Sequence, residues 1–297
     1  LTDRSAATSE RRTIGWYARA VVREIRAEQT LFSLPFVFVG AIASRSDRLG
    51  ARTIVLMILA VAAARTLGML LNRIIDATID RLNPRTRDRY LASGKLSLTF
   101  AYALAAVCVA IYVFVAWLLG PLPLALSPIP VILFVFYPYT KRFTPFCHFV
   151  LGVTLGLAPL AGWIAVSDRV TLVPFLFFAG VGFWVAGFDI LYATMDIDFD
   201  RSHGIHSIPA RWGLKTARAV AFASHLLAAL CVIVAAILSK MGSYAVAGSV
   251  LAALYLFALD MRYRNSLATP AVNAYLQANS YFSVIVFLGF LFEVVIS

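Results

Sequence analysis

Charge is scarce in this chain. Only 14% of its 297 residues are Asp, Glu, Lys or Arg, and the acids number 15 against 26 Lys and Arg. An ordinary soluble domain carries about 25% charged residues, so the two soluble domains that the length would admit are excluded. Cysteine is rarer still. Cys108, Cys147 and Cys231 stand in or beside apolar runs with no metal-ligand spacing, and they read as small buried apolar residues. The N-terminal stretch lacks the apolar core of a secretion signal; polar and basic, residues 1–29 read as a cytosolic tail.

What is abundant is apolar surface. Hydrophobic residues make up 61% of the chain and the mean hydropathy is +0.83. A globule of this size could not hide that much from water, so the composition describes a polytopic, all-α membrane protein. A bilayer core about 30 Å thick takes roughly 17–25 apolar residues per helix. On that measure nine spans are expected, centred near Phe38, Leu59, Val109, Leu133, Leu157, Ala179, Leu230, Ala252 and Phe287. Eight or ten are the alternatives, because Pro121, Pro123, Pro128 and Pro130 crowd the start of one. The net charge of +11 would suggest nucleic acid in a soluble protein. Here the basic residues fall in short loops, where they set orientation. Nine spans with the N-terminus inside put 20 Lys and Arg on the cytosolic side and five on the other, with Arg65 inside a span.

The few acids are placed unevenly. The second span runs into Asn72-x3-Asp76-x3-Asp80 and the sixth into Tyr192-x3-Asp196-x3-Asp200, an offset of 120 residues. Both motifs end even-numbered spans and so share one membrane side, which suggests two related halves facing one another within a single membrane-embedded domain. A spacing of four puts side chains on one helix face. Two carboxylates there repel by about a few tenths of a kcal/mol in water, and by more near lipid. A cation should lie between the motifs. Mg²⁺ fits, since it accepts a few carboxylates, keeps waters and completes its shell with phosphate oxygens. Asp76, Asp80, Asp196 and Asp200 could hold two such ions bridged by a diphosphate, with Asn72 as a neutral oxygen ligand.

Basic residues surround the same place: Arg73, Arg85, Arg87, Arg89, Lys141, Arg142, Arg201 and Arg211. Orientation explains many of them. It does not explain Arg65, seven residues before Asn72 on the same helix face, which needs an anionic ligand or Asp189 as partner. Acids for metal and bases for phosphate, at the mouth of an apolar cavity, describe a site for a lipid diphosphate.

At these residues the chain resembles the UbiA superfamily of intramembrane prenyltransferases. The resemblance is carried by residues 65–86 with the first motif, by residues 187–200 followed by His203, His206 and Arg211 with the second, and by the loop from Tyr137 through Lys141 and Arg142 to His148. Near the start, the stretch from Glu28 to Phe36 is similar to the 4-hydroxybenzoate polyprenyltransferase-like branch. Two positions depart from the pattern: Tyr90 stands where the family usually has Pro, and Met195 where many members of this branch have Gln.

The resemblance implies a nine-helix bundle around a central cavity, with the Asp motifs opposed at its cytosolic mouth. It also implies Mg²⁺-dependent prenyl transfer from an allylic diphosphate to an aromatic acceptor, usually in quinone biosynthesis. On this reading Arg73, Arg85, Tyr139, Lys141 and Arg142 bind diphosphate, and Arg65, Arg45 and Tyr192 contact the acceptor, with Arg26 a further option. Asp196 is the first candidate to orient or deprotonate the acceptor hydroxyl and Asp189 the second, with Asp76 also in the catalytic set. 4-Hydroxybenzoate is the acceptor the branch implies; a naphthoate, another menaquinone precursor and an ether-lipid phosphate are the alternatives. No obligate protein partner is inferred.

Bland readings go with several residues. His148 and His225 read as hydrogen-bonded interior histidines, Gly152, Gly156 and Gly162 as close helix contacts, Asp198 as solvated and Glu293 as a snorkelling terminal charge. From other functional classes, a cation-coupled transporter would predict helices broken at mid-membrane, and a non-catalytic lipid-diphosphate binder would need fewer acids.

Overall fold

The computed structural model describes residues 13–26, 33–169, 171–263 and 269–296, and these form helices and turns with no strand among them. Residues 1–12 of the tail and residues 28–32 of the first resembling stretch lie outside the described residues. The helices are α1 (Ile14–Glu24), α2 (Leu34–Ala43), α3 (Ala51–Leu82), α4 (Leu98–Leu119), α5 (Pro121–Leu126), α6 (Pro128–Thr140), α7 (Cys147–Val166), α8 (Leu172–Tyr192), α9 (Ile197–Ser202), α10 (Ile208–Leu238), α11 (Ser243–Tyr263), α12 (Thr269–Asn279) and α13 (Tyr281–Ile296).

All nine expected apolar segments fall on helices. Eight meet the length needed to cross a bilayer, with α5 and α6 together making one, α12 and α13 another, and α8 counted through α9. The ninth, α2, has ten described residues, about 15 Å of helix. The proline-rich start that made the fourth span uncertain breaks the helix at Ser127 without ending the span, because Pro121 and Pro128 each sit in a first turn, where a missing N–H costs nothing.

On α4 and α10 the faces turned inward carry mostly small residues, and large ones point outward. On α4, Ala101, Ala105, Cys108 and Ala116 are buried while Tyr102, Val107, Ile111, Phe114 and Trp117 are exposed. Lipid tails are as apolar as leucine, so association depends on close backbone approach rather than on hiding large side chains. Glycine supplies that approach around α7. A Cβ on Gly162 would lie 1.8 Å from the Val37 carbonyl oxygen, one on Gly40 would lie 1.9 Å from the Pro159 carbonyl oxygen, and one on Gly152 would lie 2.3 Å from the Gly182 carbonyl oxygen. Thus α7 is clamped between α2 and α8. An aromatic cluster of Phe36, Phe177, Trp184, Phe282 and Phe290 ties α2, α8 and α13 together.

Two expectations change here. Glu293 does not snorkel. It is buried and accepts hydrogen bonds from the backbone N–H groups of Tyr244 (2.7 Å) and Ala245 (3.3 Å), so α13 caps the N-terminus of α11. The second acidic motif also departs from a continuous helix: a single 3₁₀ turn, Ala193–Asp196, separates α8 from α9.

The clamp on α7 gives a stability prediction. Gly162→Ala should destabilise the fold by about 1–3 kcal/mol, since rigid backbone faces the added methyl. Gly50→Ala, with nothing within 4 Å of the new methyl, serves as its control. Thermal melting of the two variants in detergent checks this; equal melting temperatures would contradict the clamp.

Candidate active site

The first motif lies wholly on α3, so Asn72, Asp76 and Asp80 follow one another up a single helix face. The second reaches the same cavity differently. Tyr192 ends α8, Asp196 sits in the hinge with φ −113° and ψ 12°, and Asp200 lies on α9. Both motifs line one polar cavity, together with Arg65, Arg73, Arg85, Lys141 and Asp189.

Each acid is engaged by a partner from elsewhere in the chain. Lys141, which follows α6, donates to Asp76 at 2.6 Å, and Arg89 donates to Asp80 at 2.6 Å. Arg85 forks onto both oxygens of Asp196 and reaches the Tyr192 hydroxyl at 2.5 Å, with its guanidinium 4.9 Å from the Tyr192 ring centre. Asn83 adds a fourth donor, to Asp196 at 3.0 Å, and Ser207 donates to Asp200 at 2.8 Å. Burial opposes the Arg85 charge, but its hydrogen bond to Asp196 and the neighbouring Tyr192 more than offset this and raise its pKa above the usual arginine value. The segment between α3 and α4 therefore crosses the mouth and bridges the two motifs.

Among the described residues, no three His, Cys, Asp or Glu side chains converge closely enough to hold a metal ion. Asp76, Asp80 and Asp196 are held by cations and Asp200 by the Ser207 hydroxyl. The donor set nonetheless suits a hard divalent ion, being all oxygen, and Asp76 leaves one buried carboxylate oxygen with no hydrogen-bond partner. Asn72 is occupied: its amide donates to the Tyr137 hydroxyl and its oxygen accepts from Arg73 at 3.4 Å.

Beneath the polar mouth lies an apolar chamber between α2, α3, α4, α6 and α7, lined by Met57, Ala64, Gly68, Ala116, Phe134 and Ala161 among others. Arg65, Met69, Tyr137, Leu151 and Leu155 line both, so the two spaces meet at that level. Arg65 thus stands at the junction of the charged and apolar parts.

Three expected site residues are not brought here. Arg45 follows α2, at the end of the bundle where α3 begins, and donates to the Lys240 carbonyl at 3.3 Å. Along α3, which opens at Ala51, the motif begins about 30 Å away at Asn72 and reaches about 45 Å at Asp80. Tyr139 and Arg142 are absent from the cavity lining: Tyr139 is 41% exposed, and Arg142 stacks 4.9 Å from its ring centre while donating to the Ile75 carbonyl at 2.8 Å. They sit on the outer side of the α6 end while Lys141 points inward, because neighbouring residues on a helix turn face different directions.

Residues 33–292 match the UbiA prenyltransferase family. The chain belongs to that family. It is similar to curated 4-hydroxybenzoate octaprenyltransferases: 26% identity over 79% of this chain and 82% of the protein from Francisella tularensis subsp. novicida (strain U112), and 33% over 62% of this chain and 64% of the protein from Shewanella woodyi (strain ATCC 51908 / MS32). The apo structure of a UbiA homologue from Aeropyrum pernix K1 superposes with a TM-score of 0.82 at 38% identity, covering 90% of this chain and 98% of that one. A UbiA homologue from Archaeoglobus fulgidus bound to GPP and Mg²⁺ shares the fold, with a TM-score of 0.65 at 17% identity, covering 91% and 99%. The chain is therefore a prenyltransferase rather than a transporter or a non-catalytic binding protein.

Sequence reasoning passed over Asn83 and Ser207 as participants in this UbiA site. Ser207 carried a signal, since a Ser-Ile-Pro sequence marks a helix start, and it caps α10 by accepting from Ala210 N–H at 3.3 Å. The forked Arg85 contact predicts that Arg85→Lys lowers prenyl transfer by about tenfold to 100-fold, because an ammonium cannot span two carboxylate oxygens and a phenol. Steady-state kinetics at saturating donor check it, and a rate within about twofold of the unaltered protein would contradict it.

Proposed function

We propose that this prenyltransferase joins an allylic polyprenyl diphosphate to an aromatic acceptor, 4-hydroxybenzoate, at a ring carbon ortho to the hydroxyl. The observation that carries the reading is the meeting of two opposed Asp motifs, threaded with Lys and Arg, and an apolar chamber at Arg65 and Tyr137. The similarity to 4-hydroxybenzoate octaprenyltransferases supports the acceptor. Asn72, Asp76, Asp80, Asp196 and Asp200 would hold Mg²⁺, two ions in this reading, which when bound neutralises charge on the diphosphate.

The chain's own groups do the rest. Lys141, Arg73 and Arg85 bind the diphosphate oxygens and stabilise the negative charge that collects there as the allylic C–O bond breaks. Arg89, paired with Asp80, stands ready for the same task. The chamber walls keep water from the prenyl cation. Arg65 and Tyr192 receive the acceptor. Of the two candidates for its hydroxyl proton, Asp196 already accepts three hydrogen bonds from Arg85 and Asn83. Asp189 has a single protein partner among the described residues, which favours Asp189. In this reading the whole chain acts as one membrane unit whose mouth faces the cytosol, in keeping with the 20-to-five division of its basic residues.

Purified protein with geranyl diphosphate, 4-hydroxybenzoate and Mg²⁺ should yield prenylated hydroxybenzoate by mass spectrometry. EDTA should abolish the product, and Asp76→Asn should cut it roughly 100-fold or more. Diphosphate release without that product would overturn the acceptor while keeping the donor. Filling the chamber tests the donor's location: Ala64→Trp should reduce the rate with geranylgeranyl diphosphate more than with geranyl diphosphate. An equal effect on both would place the prenyl chain elsewhere.

A further inference from the structure

His148 is almost wholly buried in the first turn of α7, yet both its ring nitrogens are used. Nδ1 lies 2.7 Å from an oxygen of Asp189 on α8, and Nε2 accepts the Ile208 backbone N–H at 3.3 Å. That second bond decides the first. A nitrogen that accepts from an amide carries the lone pair, so in the neutral ring the proton sits on Nδ1 and is donated to Asp189.

The fold builds this contact deliberately from backbone. Gly152, one turn past His148, lets α7 and α8 approach to backbone contact at Gly182, which brings the His148 ring within reach of Asp189. Ile208 opens α10, and its N–H is one of the helix-start donors that need an outside acceptor. The preceding residue, Ser207, holds Asp200 of the second motif. The start of α10 therefore braces Asp200 directly and Asp189 through His148. The same loop is tied to the α6–α7 segment by His206 N–H donating to the Lys141 carbonyl at 2.7 Å.

Asp189 lines the polar cavity with about a quarter of its side chain exposed. One of its oxygens is held by His148, and the other makes no protein hydrogen bond among the described residues and is open to the cavity. We infer that His148 is a positioning residue for prenyl transfer: its Nδ1–H fixes Asp189 in the rotamer that aims the free oxygen at the acceptor. The inference rests on the proposed function, in which Asp189 receives the acceptor's hydroxyl. It assigns the ring no contact with either substrate. Without the ring, Asp189 loses its aim in a cavity that also holds several arginines.

Two variants separate orientation from packing. Gln can donate through its amide nitrogen and accept through its oxygen, so His148→Gln should keep kcat within about threefold; His148→Leu fills the space without either bond and should lower kcat about tenfold or more. The KM for geranyl diphosphate should stay within about twofold in both, since the donor lies against other residues. In the Asp189→Asn background, His148→Leu should cost nothing further, because the two act as one unit. Equal losses in both backgrounds, or a Gln variant as poor as the Leu variant, would overturn the inference. An Asp189→Asn variant with unchanged kcat would overturn it too, while leaving prenyl transfer intact.

If the unaltered protein makes no prenylated hydroxybenzoate, the acceptor assignment fails and the ring's tautomer decides separately. In ¹⁵N-histidine-labelled protein, the signal that His148→Gln removes should be that of an Nδ1–H imidazole. An Nε2–H ring would overturn the inference whatever the substrate.

Discussion

Four carboxylates at the mouth of an apolar cavity cannot stand unpaired, because the low dielectric around them magnifies their mutual repulsion and the cost of removing them from water. The chain resolves this with its own cations. Lys141, Arg89 and Arg85 reach in from segments outside the two motifs and take Asp76, Asp80 and Asp196 respectively. Such buried pairs add little net stability, since desolvation offsets much of the attraction. Their value is positional. Acids and bases of both motifs are thereby gathered around one cavity.

The bundle exists to hold that mouth in register. Close glycine contacts clamp α7 between α2 and α8, which sets the distance between Lys141, just before α7, and the acids at the end of α8. The chamber below is left open because the helices around it present small residues, Ala64, Gly68, Ala116 and Ala161, where larger ones would fill the space. The same device that packs helices in lipid thus also leaves an apolar cavity open. Tyr90, one of the two departures from the family pattern, finds a structural reason here: its backbone N–H donates to the buried Glu24 carboxylate at 3.0 Å and its ring packs on Trp16, tying α1 to the segment that carries Arg85 and Arg89. Proline could not make that bond.

Much of the architecture was legible because membrane constraints act locally. A run of apolar residues must become a helix when no water is present to satisfy its backbone, so all nine segments could be placed from composition. The matched motifs and Arg65 were legible for a related reason: charge near lipid is costly enough to need a purpose. The misplacements were of another kind. Arg45 carried the right charge at the wrong end of α3, and Tyr139 and Arg142 had the right neighbour but the wrong face. Glu293 looked terminal, while in three dimensions it caps another helix.

The sequence by itself determined the helical membrane class, the pairing of two acidic motifs and the diphosphate chemistry they suggest, since each follows from residue type and spacing along one segment. Tertiary structure alone decided which cation meets which acid, that the second motif bends through a 3₁₀ turn, and that His148 joins Asp189 to the start of α10. Apart from the Arg89–Asp80 pair, nine positions apart, those contacts link residues 41 to 113 positions apart, and no local periodicity reports on partners that only the packing of helices brings together.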